Sequence, residues 1–204
     1  RNSGRKPRMP LLNENARRFL PCLARRELER AIQLAHLAAP EQIPAGVHDH
    51  LGAFVTLRTA AGLRGCVGRV EAAAPLYQTI RECTIGAAIH DPRFDPVRRD
   101  EVADLWIEIS VLSSLQQVQP GQIEIGRHGL VVSQGEQRGL LLPQVAAEWG
   151  WDSIRFLEET CAKAGLPRNA WRLGAYVQAF NAQVFQEQEP CELADLGLEQ
   201  RRGA

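Results

Sequence analysis

The sequence predicts an α+β fold, with antiparallel β-sheets and helices packed against them. Three observations carry this reading. Residues 52–58, 63–68 and 105–112 alternate with a period of two, as strands with one buried face do. The segments beginning at Asn13 and Pro75 repeat apolar residues at intervals of three and four, as half-buried helices do. No Gly-x-Gly-x-x-Gly or phosphate-loop motif is present, which argues against a parallel nucleotide-binding sheet.

Taken in order, residues 1–12 read as a flexible arm, basic through Arg1, Arg5, Lys6 and Arg8 and without an acid. From Asn13 a helix places Leu20, Ala24, Leu28, Ile32 and Ala35 on one face; Pro21 either kinks it or opens its main part. Pro40, Pro44 and Gly46 form a loop ending at His48-Asp49-His50. Two histidines two residues apart fit neither a helix face nor a zinc pattern, so no metal site is expected. A hairpin follows, its arms joined at Ala60-Ala61-Gly62. Pro75 opens a helix to about His90 that buries Leu76, Ile80, Cys83 and Ala87. Asp91 to Pro96 form a rigid, proline-pinned loop, and residues 98–102 a short helix.

The strand 105–112 sets Glu108 and Ser110 on one face. Residues 114–121 read as a polar loop, and 123–125, 130–133 and 139–142 as short strands. Pro143 starts a helix bearing Val145, Ala146 and Trp149. Asp152 caps another, with Ile154, Leu157 and Cys161 inward and Gly165-Leu166-Pro167 as its stop. A strand from Tyr176 to Phe185 closes a domain spanning 13–187, and 188–204 read as a disordered tail.

The chain has 204 residues, with 24 basic and 24 acidic side chains and a formal charge of zero. Such a balance supplies no broad positive field, and only 6% of residues are aromatic, so nucleic acid is not the expected partner. No apolar run approaches the ~18 residues a membrane span needs, and no signal-peptide core is seen. Five cysteines, at 22, 66, 83, 161 and 191, lie far apart without a Cys-x-x-Cys pair. They read as reduced thiols of a cytoplasmic protein, and nothing suggests a cofactor or iron–sulfur cluster.

Leu63-Arg64-Gly65-Cys66-Val67-Gly68 resembles the signature of the AMMECR domain family, known in prokaryotes as protein A of the AmmeMemoRadiSam system. That family usually has Ile where this chain has Val67. Further similar stretches occur in the family's order: Asp91-Pro92-Arg93-Phe94, Glu108-Ile109-Ser110-Val111-Leu112, residues 139–145, Glu148-Trp149-Gly150-Trp151-Asp152 and residues 159–167. The resemblance implies two α/β lobes with a cleft between them, and an association with a Memo-type protein and a radical-SAM enzyme. It implies no particular reaction, because the family's biochemical activity is not established.

The chemistry of the hexapeptide turns on its sidedness. As a strand, it sends Arg64, Cys66 and Gly68 to one face and Leu63, Gly65 and Val67 to the other. A guanidinium about 7 Å from a thiolate stabilises it by about 2.4 kcal/mol where solvent is largely excluded, and by about 0.6 kcal/mol in open water. Cys66 is therefore the candidate nucleophile or redox thiol and Arg64 its anion clamp. Glu108 or a histidine would handle protons, His90 beside Asp91 first and then His48, His50 and His128. Gly65, Gly68, Asp91, Arg93 and Ser110 complete the candidate ligand-binding set. Two alternatives stand beside this reading. Arg64 could pair with a carboxylate such as Glu108 while Cys66 fills space. The whole protein could be a noncatalytic adaptor for another protein or, with less support, RNA. The primary expectation is a component that binds or processes a small molecule or modified peptide at Arg64 and Cys66.

Overall fold

The computed structural model describes residues 12–34, 43–71 and 73–187. Residues 1–11 of the arm, Ala35, most of the loop around Pro40, Ala72 and the tail after Glu187 lie outside them. The chain divides into two compact units, residues 12–111 with 183–187, and Leu112–Ala182. Both combine antiparallel strands with helices, so the α+β expectation holds.

In the first unit, helix α1 (Glu14–Ala31) starts where the Asn13 side chain accepts the Ala16 amide N–H at 2.8 Å. It runs through Pro21 without stopping, so Pro21 lies inside the helix rather than at its first turn. Strands β1 (Ala53–Thr59) and β2 (Gly62–Arg69) form the hairpin, and β3 (Trp106–Leu112) pairs with the other side of β1. Helix α2 (Leu76–Ile85) continues as a π-helical turn, Gly86–His90. A 3₁₀ helix (Arg99–Asp104) follows the Asp91–Pro96 loop.

One face of the β2–β1–β3 ribbon is core. Ala53, Val55 and Leu57 of β1 and Ile107, Ile109 and Val111 of β3 are buried with Phe19, Leu20, Leu23 and Leu28 of α1 and Leu76, Ile80 and Cys83 of α2. Gly65 belongs to this face. A Cβ there would lie 2.2 Å from the Ala87 carbonyl oxygen, so glycine is what lets β2 meet the π turn. Cys83 is buried as expected, and burial pushes its thiol up to about 11. Cys22 lies on α1 and is buried.

In the second unit, β5 (His128–Gln134) pairs with β6 (Gln137–Leu141) on one side and with β7 (Tyr176–Gln186) on the other. A two-residue strand β4 (Gln116–Gln117), hidden in the stretch read as loop, pairs with β7. Residues 123–125 are not a strand. The Glu124 carbonyl accepts the amides of Arg127 and His128, and the Glu124 amide donates to His128 Nδ1 at 3.1 Å. These local bonds close a turn where a ladder would have needed them.

Helices α3 (Pro143–Glu148) and α4 (Ser153–Lys163) cover the sheet. Asp152 caps α4 by accepting the Arg155 amide at 2.7 Å. Leu157 and Cys161 are fully buried with Leu130, Val132, Ala146 and Phe156. Ile154, read as inward, is only partly buried, and Trp149 at the end of α3 is 70% exposed.

Candidate functional site

The site grows from a register shift. Across the hairpin, Thr59 pairs with Gly62 and Arg58 with Leu63, but Leu57 pairs with Gly65 and Thr56 with Cys66. Arg64 is left without a partner on β1. It is a β-bulge, and a bulged residue is re-aimed out of strict alternation. Its guanidinium accordingly reaches the end of the Asp91–Pro96 loop and the 3₁₀ helix after it. It donates through Nη1 to the Asp95 carbonyl at 2.9 Å, and through Nη2 to the Pro96 carbonyl at 3.3 Å. It closes a fork on Glu101, with Nη2 at 2.9 Å and Nε at 3.3 Å. Arg64 hydrogen bonds and the Arg98 amide hold the Glu101 carboxyl below its ordinary value. Arg64 thus fastens the loop end and Glu101, and its carboxylate partner is Glu101 rather than Glu108.

The cation beside Cys66 is instead Arg93. The Cys66 amide donates to Asp91 Oδ2 at 2.8 Å, and the Cys66 carbonyl accepts from Arg93 Nη2 at 3.0 Å. Arg93 and Asp91 are joined by three further bonds, the Arg93 amide to Oδ1 at 3.1 Å, Nε to Oδ1 at 2.9 Å and Nη2 to Oδ2 at 2.7 Å. The pair thereby does for one residue of β2 what a neighbouring strand would do, satisfying both of its backbone groups. The Asp91 side chain is 2% exposed and that of Arg93 54%. The Arg93 hydrogen bonds, with the Cys66 and Arg93 amides, hold the Asp91 carboxyl far below the carboxylate range despite its burial. Asp91, and to a smaller extent the Cys66 sulfur, raise Arg93 in turn. Among the described residues, Arg93 Nη1 makes no hydrogen bond.

The Cys66 thiol leaves the sheet on the face opposite the core. Its sulfur accepts a hydrogen bond from Thr56 Oγ1 at 3.4 Å, and Glu108 is the next residue in the same cross-strand row. Two strand spacings put the Cα atoms of Cys66 and Glu108 about 10 Å apart. Glu108 is half-buried, lies 3.9 Å from Arg58 Nη2 and accepts from Gln186 Nε2 at 3.3 Å. The adjacent row is Gly68, Phe54 and Ser110. A Cβ on Gly68 would meet the Phe54 ring at 2.2 Å, and the Ser110 side chain is buried, so these two shape the face beside the thiol.

No described histidine hydrogen-bonds Cys66. His90 is exposed at the end of the π turn, His48 packs edge-on against Tyr77 at 5.5 Å, His50 is exposed and His128 is buried in the second unit. Among the described residues, no group of three His, Cys, Asp or Glu side chains could hold a metal. Sequence reasoning missed Thr56 and Glu101. Thr56 stands in the alternating run of β1, but a plain two-residue turn would have set it opposite Gly65; only the bulge moves it to Cys66.

A family model described as AMMECR1 matches residues 21–185, which contain every residue of this site. The chain belongs to the AMMECR1 family. Among AMMECR1-like relatives, protein Mbar_A1807 of Methanosarcina barkeri is 41% identical over 179 residues, covering 83% of this chain and 89% of that one. A protein of the bacterium Aquifex aeolicus is 38% identical over 182 residues, covering 85% and 93%. The crystal structure of the uncharacterized protein PH0010 of Pyrococcus horikoshii superposes with a TM-score of 0.80 at 38% identity, covering 89% of this chain and 96% of that one. The AMMECR1 relatives thus span archaea and a bacterium. No helix among the described residues is long and apolar enough to cross a membrane.

Proposed function

We propose that this AMMECR1 protein binds, and presents for reaction, a small molecule or modified peptide at Cys66, in concert with a Memo-type protein and a radical-SAM enzyme. The observation supporting this reading is the way Cys66 is held. Of the three free cysteines described, Cys83 and Cys161 are buried, whereas Cys66 is half-exposed, with amide, carbonyl and sulfur each given a dedicated partner. Space-filling needs no such control. In this assignment Thr56 and Arg93 flank the thiol, and the free Nη1 of Arg93 takes an anionic group of the ligand. Glu108 is the nearest acid along the sheet face and handles protons. Arg64, Gly65 and Asp91 are positioning residues.

The test is alkylation of the native protein with iodoacetamide, followed by peptide mapping. The proposal expects Cys66 to be modified while Cys83 and Cys161 react only after unfolding. A native Cys66 as inert as those two would leave the motif architectural and favour the adaptor reading. The partner assignment is tested separately, by co-elution of the purified chain with a purified Memo-type protein and radical-SAM enzyme.

A further inference from the structure

The second unit carries a surface feature that the Cys66 site does not use. Helix α3 ends in a Schellman turn, in which the Gly150 amide bonds the Ala147 carbonyl at 3.2 Å and the Trp151 amide that of Ala146 at 2.9 Å. Gly150 sits at φ 63°, the left-handed conformation that the turn demands. The reversal lays Trp149 on Trp151, ring centroids 6.1 Å apart and planes 20° from parallel. Trp151 is anchored against the core of this unit, so the platform is rigid, and Trp149 shows solvent its outer face.

Exposing an indole to this degree forfeits burial that the fold could have used, so the feature suits recognition rather than stability. The rings are too close to admit a guest between them, since a sandwich needs about 7 Å. Binding must use the outer face of Trp149. That face carries the negative lobe of the ring quadrupole, at the C-terminal end of α3. Glu148 is exposed at the same end and pairs with no cation among the described residues. The ring face and Glu148 favour a positive guest. A planar guanidinium stacks on an indole better than an ammonium does, and the same unit already shows the geometry, with Arg172 lying 4.6 Å over the Trp171 ring.

We propose that Trp149, backed by Trp151 and flanked by Glu148, is a docking site for an arginine side chain in a basic segment of a partner protein. The experiment titrates the ¹⁵N-labelled full chain with a short acetylated peptide containing one arginine, and in parallel with its citrulline counterpart, which keeps the shape and removes the charge. The indole N–H resonances of Trp149 and Trp151 are followed, with Trp171 as internal reference. The arginine peptide is expected to shift the first two saturably, and the citrulline peptide to bind about fivefold more weakly or less. Trp149→Ala removes a side chain that supports little of the core, and should abolish the Trp151 shift without changing the melting temperature. Glu148→Gln should weaken binding about threefold. Equal response to citrulline, no saturable shift, or retained binding by a folded Trp149→Ala protein would each overturn the proposal.

Discussion

The hairpin β5–β6 keeps one register throughout, from Leu130 opposite Leu141 to Gln134 opposite Gln137, while β1–β2 slips by a residue at Arg64. In other respects the two follow one plan. Each has a glycine where a helical backbone closes on the strand: at Gly65 an added Cβ would lie 2.2 Å from Ala87 O, and at Gly139 2.3 Å from Ala164 N. Beyond each lies a helix bearing a buried cysteine, α2 with Cys83 directly and α4 with Cys161 after α3, and burial pushes each thiol up. The residue after the glycine is Leu140 in one hairpin and Cys66 in the other. The regular hairpin stays a plain pairing surface. The bulged one sends an arginine over its edge to fasten a loop, and that loop returns Asp91 and Arg93 to hold the cysteine. The difference teaches that one extra residue converts a structural hairpin into a mounted side chain.

The shared part of the plan gives the largest expected effects. Gly65→Ala and Gly139→Ala each push a methyl into backbone that cannot step aside, and each should cost about 3 kcal/mol or more in urea denaturation. A tolerated Gly65→Ala would mean that β2 does not meet the π turn closely, and would break the comparison at its root.

Next is Asp91→Asn, which has no counterpart in the regular hairpin. Removing a buried carboxylate paired with a half-exposed arginine should cost about 2 kcal/mol, the exposure of Arg93 discounting the full penalty of a buried pair. The sign with pH follows from the depressed carboxyl. The contribution is complete above the unfolded Asp value of about 3.9, and is lost as pH falls toward the folded value. Wild type should therefore lose more stability than Asp91→Asn between neutral pH and pH 3, as equilibrium unfolding at several pH values would show. Parallel curves for the two proteins would remove Asp91 from this role.

Arg64→Ala is smaller, about 1–2 kcal/mol for a mostly buried fork on Glu101. It sharpens the comparison further, because the native alkylation rate of Cys66 should stay within about twofold if Arg64 only positions the loop. The least effect belongs to Arg58→Ala, whose 3.9 Å contact with Glu108 is long and solvent-facing. A change within about 0.5 kcal/mol is expected in thermal unfolding.

Much of the fold was legible because periodicity reports burial. The alternation of β1, β2 and β3, the stripes of α1 and α2, and the Asn13 and Asp152 caps all appear where local pattern and tertiary packing agree. Residues 123–125 misled because Ile123 is apolar for packing while its neighbours spend their hydrogen bonds on a turn. The site was legible only as a list. Cys66, Arg93, Asp91 and Glu108 could be named from the chain, yet which cation lies beside Cys66 depends on the bulge. A bulge has no hydrophobic signature: Arg64 reads as one more alternating residue until β1 is laid beside it. Thr56 and Glu101 were hidden for the same reason, one displaced by the shifted register and the other contacted across 37 positions of sequence.

The measurement closest to the central claim compares iodoacetate with iodoacetamide at Cys66 in wild type, Arg64→Gln, Arg93→Gln and Arg93→Lys. A cation at the thiol favours the anionic reagent. The account predicts a preference for iodoacetate in wild type that persists in Arg64→Gln, falls away in Arg93→Gln and returns in part in Arg93→Lys. A preference that vanishes with Arg64 and survives loss of Arg93 would contradict it.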